Sequence, residues 1–380
     1  MTKAAELAKM GEVLTNSQIG GRRNLVINGA MQVAQRGTSE TGLGASSKYS
    51  TVDRFNHAFD GTAGRLTSSQ VASGLNGFGN ALKLDCTTAD TSIAAGELFI
   101  IQQRIEGQDL QQLKKGTSDA EKVTLSFYAK VVGSSTDIVV ELEDADNSRH
   151  VAKLFTLTTS WARYTYTFPA DTTGALDDDN ASSFLVNFWL HAGSTYNGGT
   201  LATSWASKTE ANRAVGADSF FSSTDNELFL TGLQLEVGEQ ATPFEHRSFG
   251  EELALCQRYF HQNTFLDNQV TSAGGGVNSS TIAVCGGMSH PVIMRAAPTG
   301  TVSDGNHKQE QYGFNIKNAI SQESLKSFLQ SKGGMKPIVY VGFGSMVIED
   351  SDFEKVVGLL IEAAALCNCQ LIVQSHNGAK

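Results

Sequence analysis

Cysteine is scarce in this chain of 380 residues, and its five copies, Cys86, Cys256, Cys285, Cys367 and Cys369, are odd in number and mostly set in apolar runs. That excludes a disulfide framework and reads as buried thiols. The one close pair, Cys367-x-Cys369, has a gap that suits neither a zinc knuckle nor a redox CxxC motif. No metal and no cofactor is expected. Basic charge is short as well: 29 Lys and Arg face 39 Asp and Glu, a formal net charge of -10, and the basic residues are scattered rather than striped. A nucleic-acid partner is excluded on that ground. No run approaches the roughly 20 apolar residues needed to cross a bilayer, so no membrane insertion is expected. The opening MTKAAELAKMGEVL lacks the apolar core of a signal peptide, which predicts synthesis in the cytoplasm. Charged residues make up only 18%, with 38 Gly against 5 Pro, a balance common among β-rich extracellular or particle-surface proteins.

The hydrophobic pattern divides the chain into four parts. Residues 1–23 carry helix formers with Leu7, Met10 and Leu14 at heptad spacing, which reads either as an amphipathic cap on the next domain or as a short bundle or peg into a larger assembly. Residues 24–247 show period-two alternation punctuated by turn residues, the pattern of an all-β sandwich. In Val123–Lys130, for example, Val123, Leu125, Phe127 and Ala129 mark a core face, and Thr124, Ser126, Tyr128 and Lys130 a face for water or ligand. Further strands are predicted at Ala81–Cys86, Leu98–Arg104, Ile138–Leu142, Trp161–Phe168, Phe184–Leu190 and Leu228–Glu236, enough for two packed sheets. Residues 248–305 open with a helix whose N-cap is Ser248 and whose capping box closes on Glu251. Leu253, Leu255, Cys256 and Tyr259 give it an apolar stripe for the sheets or a neighbouring subunit, and 264–305 reads as a smaller β segment. Residues 306–380 change to a period of 3.6, with a strand and glycine turn in PIVYVGFGSM, a helix from Ser351, and a second parallel strand in QLIVQS. The fold class is mainly β: a jelly-roll-like sandwich with a short N-terminal helix and a small C-terminal α/β segment.

Candidate binding residues come from the loop after Leu190, HAGSTYNGGTLATSWAS, where Tyr196, Asn197 and Trp205 stand among small polar residues. That mix suits sugar or protein contact, and an aromatic in a long loop equally plugs the end of a sandwich. The run Asp177, Asp178, Asp179 lacks the alternating spacing of a Ca²⁺ loop and reads as a solvated turn. Glu236, Glu245, His246 and Arg247 gather where the last strand exits, either fixing that geometry or serving as acid-base groups. Asn24, Asn28, Arg36, Asp53 and Arg54 read as structural hydrogen bonds and ion pairs. No catalytic residue is assigned.

Five stretches, RNLVINGAMQVAQRGTS (23–39), YSTVDRF (49–55), FIIQQRIEG (99–107), GLQLEVGEQATPFEHRSFGEELALCQRYF (232–260) and SHPVIMRAAPT (289–299), resemble a family of phage tail-fibre and other virion-surface proteins. The resemblance covers roughly residues 1–300. It implies a carbohydrate-binding-type jelly roll on a multimeric appendage: a virion protein made in the host cytoplasm, a homotrimer joined to other virion proteins through its N-terminal region, attaching to a host glycan or protein. A head fibre or capsid decoration is the near alternative, and catalysis is not implied.

The C-terminal GFGSM turn and its following strand resemble the opening of the donor-nucleotide domain of two-Rossmann-domain glycosyltransferases, the sterol and lipid glucosyltransferases especially. The match covers about sixty residues. It implies at most an anion cradle at Gly344 and Ser345; the sugar clamp and catalytic histidine of that family have no counterpart here, so glycosyl transfer is the less favoured reading.

Overall fold

The computed structural model describes Lys3, residues 23–262 and 290–297, and two strands at 338–342 and 370–374. The chain forms two compact units: residues 1–264 with 290–298, and residues 265–289 with 299–380. The first is the predicted sandwich. Its strands are β1 (Ser39–Leu43), β2 (Lys48–Tyr49), β3 (Asn56–Asp60), β4 (Arg65–Ala72), β5 (Asn80–Thr88), β6 (Leu98–Glu106), β7 (Val123–Val132), β8 (Thr136–Asp144), β9 (Arg149–Leu157), β10 (Ala162–Phe168), β11 (Ser182–Ala192), β12 (Ala206–Ser207) and β13 (Glu227–Val237). One sheet runs β1-β4-β5-β13-β7-β10 and the other β12-β9-β8-β11-β6-β3-β2. Every pairing within them is antiparallel. All seven predicted strands are present.

Alternation places the core between the sheets: Val123, Leu125, Phe127 and Ala129 of β7 face Val186 and Phe188 of β11 in one apolar cluster. The other face of β7 differs from expectation. Thr124 and Ser126 are buried rather than open, because the chain leaving β13 lies across them. Thr124 Oγ1 donates to Gly238 O at 2.7 Å, and Arg163 spans Ser126 and Thr242. Tyr128 packs on Phe78, and the Lys130 ammonium sits 4.6 Å from the Phe229 ring centre.

β11 is buried on both faces, which explains its nearly unbroken apolar run. A bulge between Trp189 and His191 interrupts its register with β6. Alternation already sends Trp189 to a second apolar cluster on the far side of the seven-stranded sheet; the bulge turns the His191 ring, against Phe221, toward the main core beside Leu190.

The helix Phe249–Gln257 has the predicted capping box, with Glu251 N donating to Ser248 Oγ at 3.3 Å and Ser248 N to Glu251 Oε2 at 2.9 Å. Within the chain its apolar stripe packs on the segment before β1 rather than on an open sheet face. Cys256 meets Ile27 and Val33, with Leu253, Leu255 and Tyr259 beside them. The segment 24–33 fits there because Asn28 takes a left-handed backbone (φ 62°) and Gly29 lies so close to β13 that a Cβ would stand 2.1 Å from Leu233 O. Residues 290–297, expected to be strand-like, form bends without a strand: Arg295 folds back instead, its N donating to Arg258 O at 2.9 Å and its Nη1 to Asn180 O at 2.9 Å.

In the second unit, Ile338–Gly342 and Gln370–Gln374 pair in parallel, Ile338 opposite Gln370, as the βαβ reading requires. Apart from Lys3, which is helical, the helices expected around 2–15, 321–334 and 351–366, the rest of 264–305, Cys285, Cys367 and Cys369, and Gly344 and Ser345 lie outside the described residues.

Candidate functional site

A cavity of about 240 Å³ opens where the helix and its following turn meet one flank of the seven-stranded sheet. Arg36, Arg54, Arg104 and Arg295 line it together with Tyr259 and Phe260. Each arginine arrives on a different element: the chain before β1, the turn between β2 and β3, β6, and the 290–297 segment. Aromatic faces fix two of them. The Arg54 guanidinium carbon lies 3.3 Å from the Tyr259 ring centre, and that of Arg36 3.5 Å from the Phe260 ring centre and 5.6 Å from Tyr49. Arg54 is 6% exposed and holds a left-handed backbone (φ 76°), a conformation that a non-glycine residue adopts at an energetic penalty.

The two carboxylates of the cavity wall are already engaged. Asp53 accepts from Gln35 N and Gln35 Nε2 and pairs with Arg36 at 3.4 Å. Burial holds its carboxyl above the ordinary range against the pull of Gln35 and Arg36, and burial likewise lowers Arg36. Glu106 accepts from Arg258 Nε at 2.9 Å and Nη2 at 2.7 Å, and from the Tyr259 hydroxyl. Burial works to raise its carboxyl, yet the Arg258 and Tyr259 hydrogen bonds and the Arg258 charge win and hold it low. Tyr259 in turn rises to about 12 through burial first, with the Glu106 hydrogen bond adding to it. Arg54, Arg104 and Arg295 have no carboxylate partner among the described residues. Arg54 Nη2 donates to Arg104 O, but its Nε is buried with no partner at all, and so is the Oγ of Ser182 on the same wall. An unmet buried polar group costs about 1–3 kcal/mol, and both atoms lie behind the cavity surface rather than on it.

The far face of the same sheet carries a second set of buried charges. Glu141, fully buried, accepts from Arg213 Nε and Nη2 at 2.9 Å each, from Trp189 Nε1 at 2.9 Å, from Asn187 Nδ2 at 3.0 Å and from His150 Nδ1 at 2.8 Å. Burial alone would raise its carboxyl; the His150 hydrogen bond and the Arg213 charge outweigh it and bring it to about 2. Glu143 adds Arg213, Lys208 and Asn187, and the row continues through Gln102 to Arg104. The row therefore ends at the cavity.

The predicted loop residues do not form one site. Tyr196 packs on Trp189 at 5.2 Å in the outer cluster. Trp205 packs on the main core beside Phe184, under the Lys115 ammonium, its Nε1 donating to Pro169 O at 2.8 Å: the plug at the sandwich end. Asn197 Nδ2 donates to Ala192 O at 2.9 Å and shapes its own turn. Asp177, Asp178 and Asp179 are an exposed turn. The exit cluster has structural work: Glu236 accepts from Thr242 N, Glu245 from Arg23 N and Asn24 N, and Arg247 donates to Asn24 O and Val26 O. Asn24 and Asn28 are structural as read, but Arg36, Asp53 and Arg54 are also cavity walls, which the sequence reading missed. A signal existed: Arg36, Arg54, Arg104, Arg258 and Arg295 each fall in a different one of the five stretches that carry the resemblance, and the fold brings those stretches together.

Sequence reasoning also missed the inward turn of His191. It brings the ligand-type atoms of Asp90, Glu97 and His191 within 4.8 Å of one another, the residue types of a divalent-cation site. Protein partners engage all three: Asp90 accepts from Thr62 Oγ1, Ala63 N and Ser92 N, and His191 meets Ser219 Oγ at 2.7 Å and Glu97 at 3.3 Å.

No family of known proteins matches this sequence, and no curated protein matches it. Among solved structures, the chain is similar to the CBM22-1 xylan-binding domain from Paenibacillus barcinonensis at 11% identity, covering 58% of this chain and 100% of that one, with a TM-score of 0.29. A CBM4 structure matches at 13% identity over 55% and 97% with a TM-score of 0.28. The enzymatically active domain of tailspike protein 4 of bacteriophage CBA120 matches at 12% identity over 56% of this chain, which spans 21% of that one, with a TM-score of 0.26.

Proposed function

We propose that this protein is a non-catalytic virion-surface appendage, a tail fibre or allied attachment protein, and that it binds a host-surface glycan in the arginine-lined cavity. The carrying observation is that the five sequence stretches resembling virion-surface proteins all contribute to one cavity or its supporting ion pair, and that Arg54, Arg104 and Arg295 on its wall have no carboxylate partner among the described residues. A sugar supplies many hydroxyl acceptors and donors in a small volume, and the rigid sandwich holds the recognising groups without rearrangement. On this reading the chain works as a homotrimer in the virion, joined to other virion proteins through residues 1–23.

The test uses full-length protein on a glycan array, followed by competition for virion adsorption with the glycan that scores. Binding to a defined glycan that also blocks adsorption is the expected result. A protein that is strictly monomeric, absent from purified particles and silent on the array would overturn the reading.

A further inference from the structure

We infer that the cavity selects an acidic sugar, with a carboxylate or phosphate group lodged among Arg54, Arg104 and Arg295; this rests on the glycan-binding reading above. Charge is the first ground for it. Of the four lining arginines, Arg36 is matched by Asp53, and the wall's second carboxylate, Glu106, is matched by Arg258, which is not itself a lining residue. That leaves three guanidinium groups without a carboxylate among the described residues around about 240 Å³. Partly desolvated cations so grouped repel one another, and the repulsion falls only if an anion enters.

Geometry narrows the anion. Arg54 is stacked over Tyr259, with one edge committed through Nη2 to Arg104 O. Arg104 is exposed and tied through its own Nε to Gln102 Oε1 at 2.7 Å, and Arg295 through Nη1 to Asn180 O. Guanidinium edges held in fixed planes suit the two or three coplanar or tetrahedral oxygens of a carboxylate or phosphate, and suit a lone hydroxyl poorly. A volume of this size takes one sugar ring, not a chain.

The experiment is calorimetric titration of the full-length protein with glucuronate, N-acetylneuraminate and glucose 6-phosphate, against glucose and inorganic phosphate, at low and high salt. At least one acidic sugar is expected to bind about tenfold or more tightly than glucose, the loss expected of a charge-assisted hydrogen bond, and to weaken as salt rises. The first two ligands separate carboxylate from the phosphate of the third. Arg104→Gln and Arg295→Gln, on the more accessible side, should each weaken that binding about tenfold while the melting temperature stays put. Equal binding of glucose and the acidic sugars overturns the charge preference and leaves glycan attachment standing. Binding of inorganic phosphate with no sugar bound, or acidic-sugar binding untouched by both variants, overturns the site itself. Silence with every sugar here and on the array removes both readings together.

Discussion

The Glu141 row and the Arg54 cavity share one sheet and much the same chemistry, buried guanidinium beside buried carboxylate, yet they differ in how completely the charges are matched. In the row, two carboxylates meet Arg213, Lys208 and His150, and every donor that points at Glu141 is accepted. Its one loose end is His150 Nε2, on the ring edge away from Glu141. In the cavity three cations lack a carboxylate among the described residues. A matched network holds the fold; a mismatched one in an open cavity is poised for a partner.

The sharpest way to break that comparison is Glu141→Gln. Removing the charge leaves Arg213 to Glu143 and Glu210 and sets an amide against the Trp189, Asn187 and His150 donors, so about 3 kcal/mol of stability should vanish in urea denaturation, with ligand affinity unchanged. A stable variant with lost affinity would move the site onto the row. Trp205→Ala should cost about 2 kcal/mol, less than a fully buried tryptophan because the ring is only partly buried, and leave binding intact. Lost binding at unchanged stability would restore Trp205 to the site.

Acid should act on the structural region first. His57 is fully buried and its pKa is brought down to about 3 by burial first and by the Lys48 charge. The folded protein keeps it neutral while the unfolded chain takes up a proton, so stability falls as pH drops from about 6.5 toward 3. His191, lowered mainly by burial, adds in the same direction. Glu141 has the depressed pKa of a matched carboxylate: its contribution is complete above 4.5 and is lost as pH falls through about 2. Denaturation midpoints at pH 7, 5.5 and 4 should fall steadily, and His57→Asn should flatten the upper part of that fall. A flat profile between pH 7 and 5 would contradict the burial of His57. The smallest stability effect is expected from Arg104→Gln, within about 0.5 kcal/mol, because its side chain is exposed and touches one partner, Gln102.

How much was legible in the sequence differs between the two regions as well. Strands β5, β6, β7, β8, β10, β11 and β13 announced themselves through apolar alternation or, in SSFLVNFWLHA, a continuous apolar run. Strand β4, RLTSSQVA, is mostly polar because it lies near a sheet edge with only Leu66 and Ser68 fully buried, and β9, RHVAKLFTL, hides its alternation behind Arg149, His150 and Lys153. The capping box was readable because it is local; the helix's partner, 27–33, was not, because it arrives from more than two hundred residues away. The same holds for the charges. Nothing near Glu141 in VVELED reveals that Arg213, 72 residues later, will meet it. The cavity left a trace only in the distribution of arginines over the resembling stretches, and single residues in loops give no periodicity to read. Tyr196 and Trp205 attracted notice by composition, and packing explains them.

The most direct measurement places Glu141→Gln and Arg104→Gln side by side, each unfolded in urea and titrated with the same acidic sugar. Glu141→Gln is expected to lose stability and keep affinity, and Arg104→Gln to lose affinity and keep stability. The division between a structural row and a binding cavity is contradicted if Arg104→Gln unfolds as readily as Glu141→Gln, or if both variants bind the sugar as the unaltered protein does.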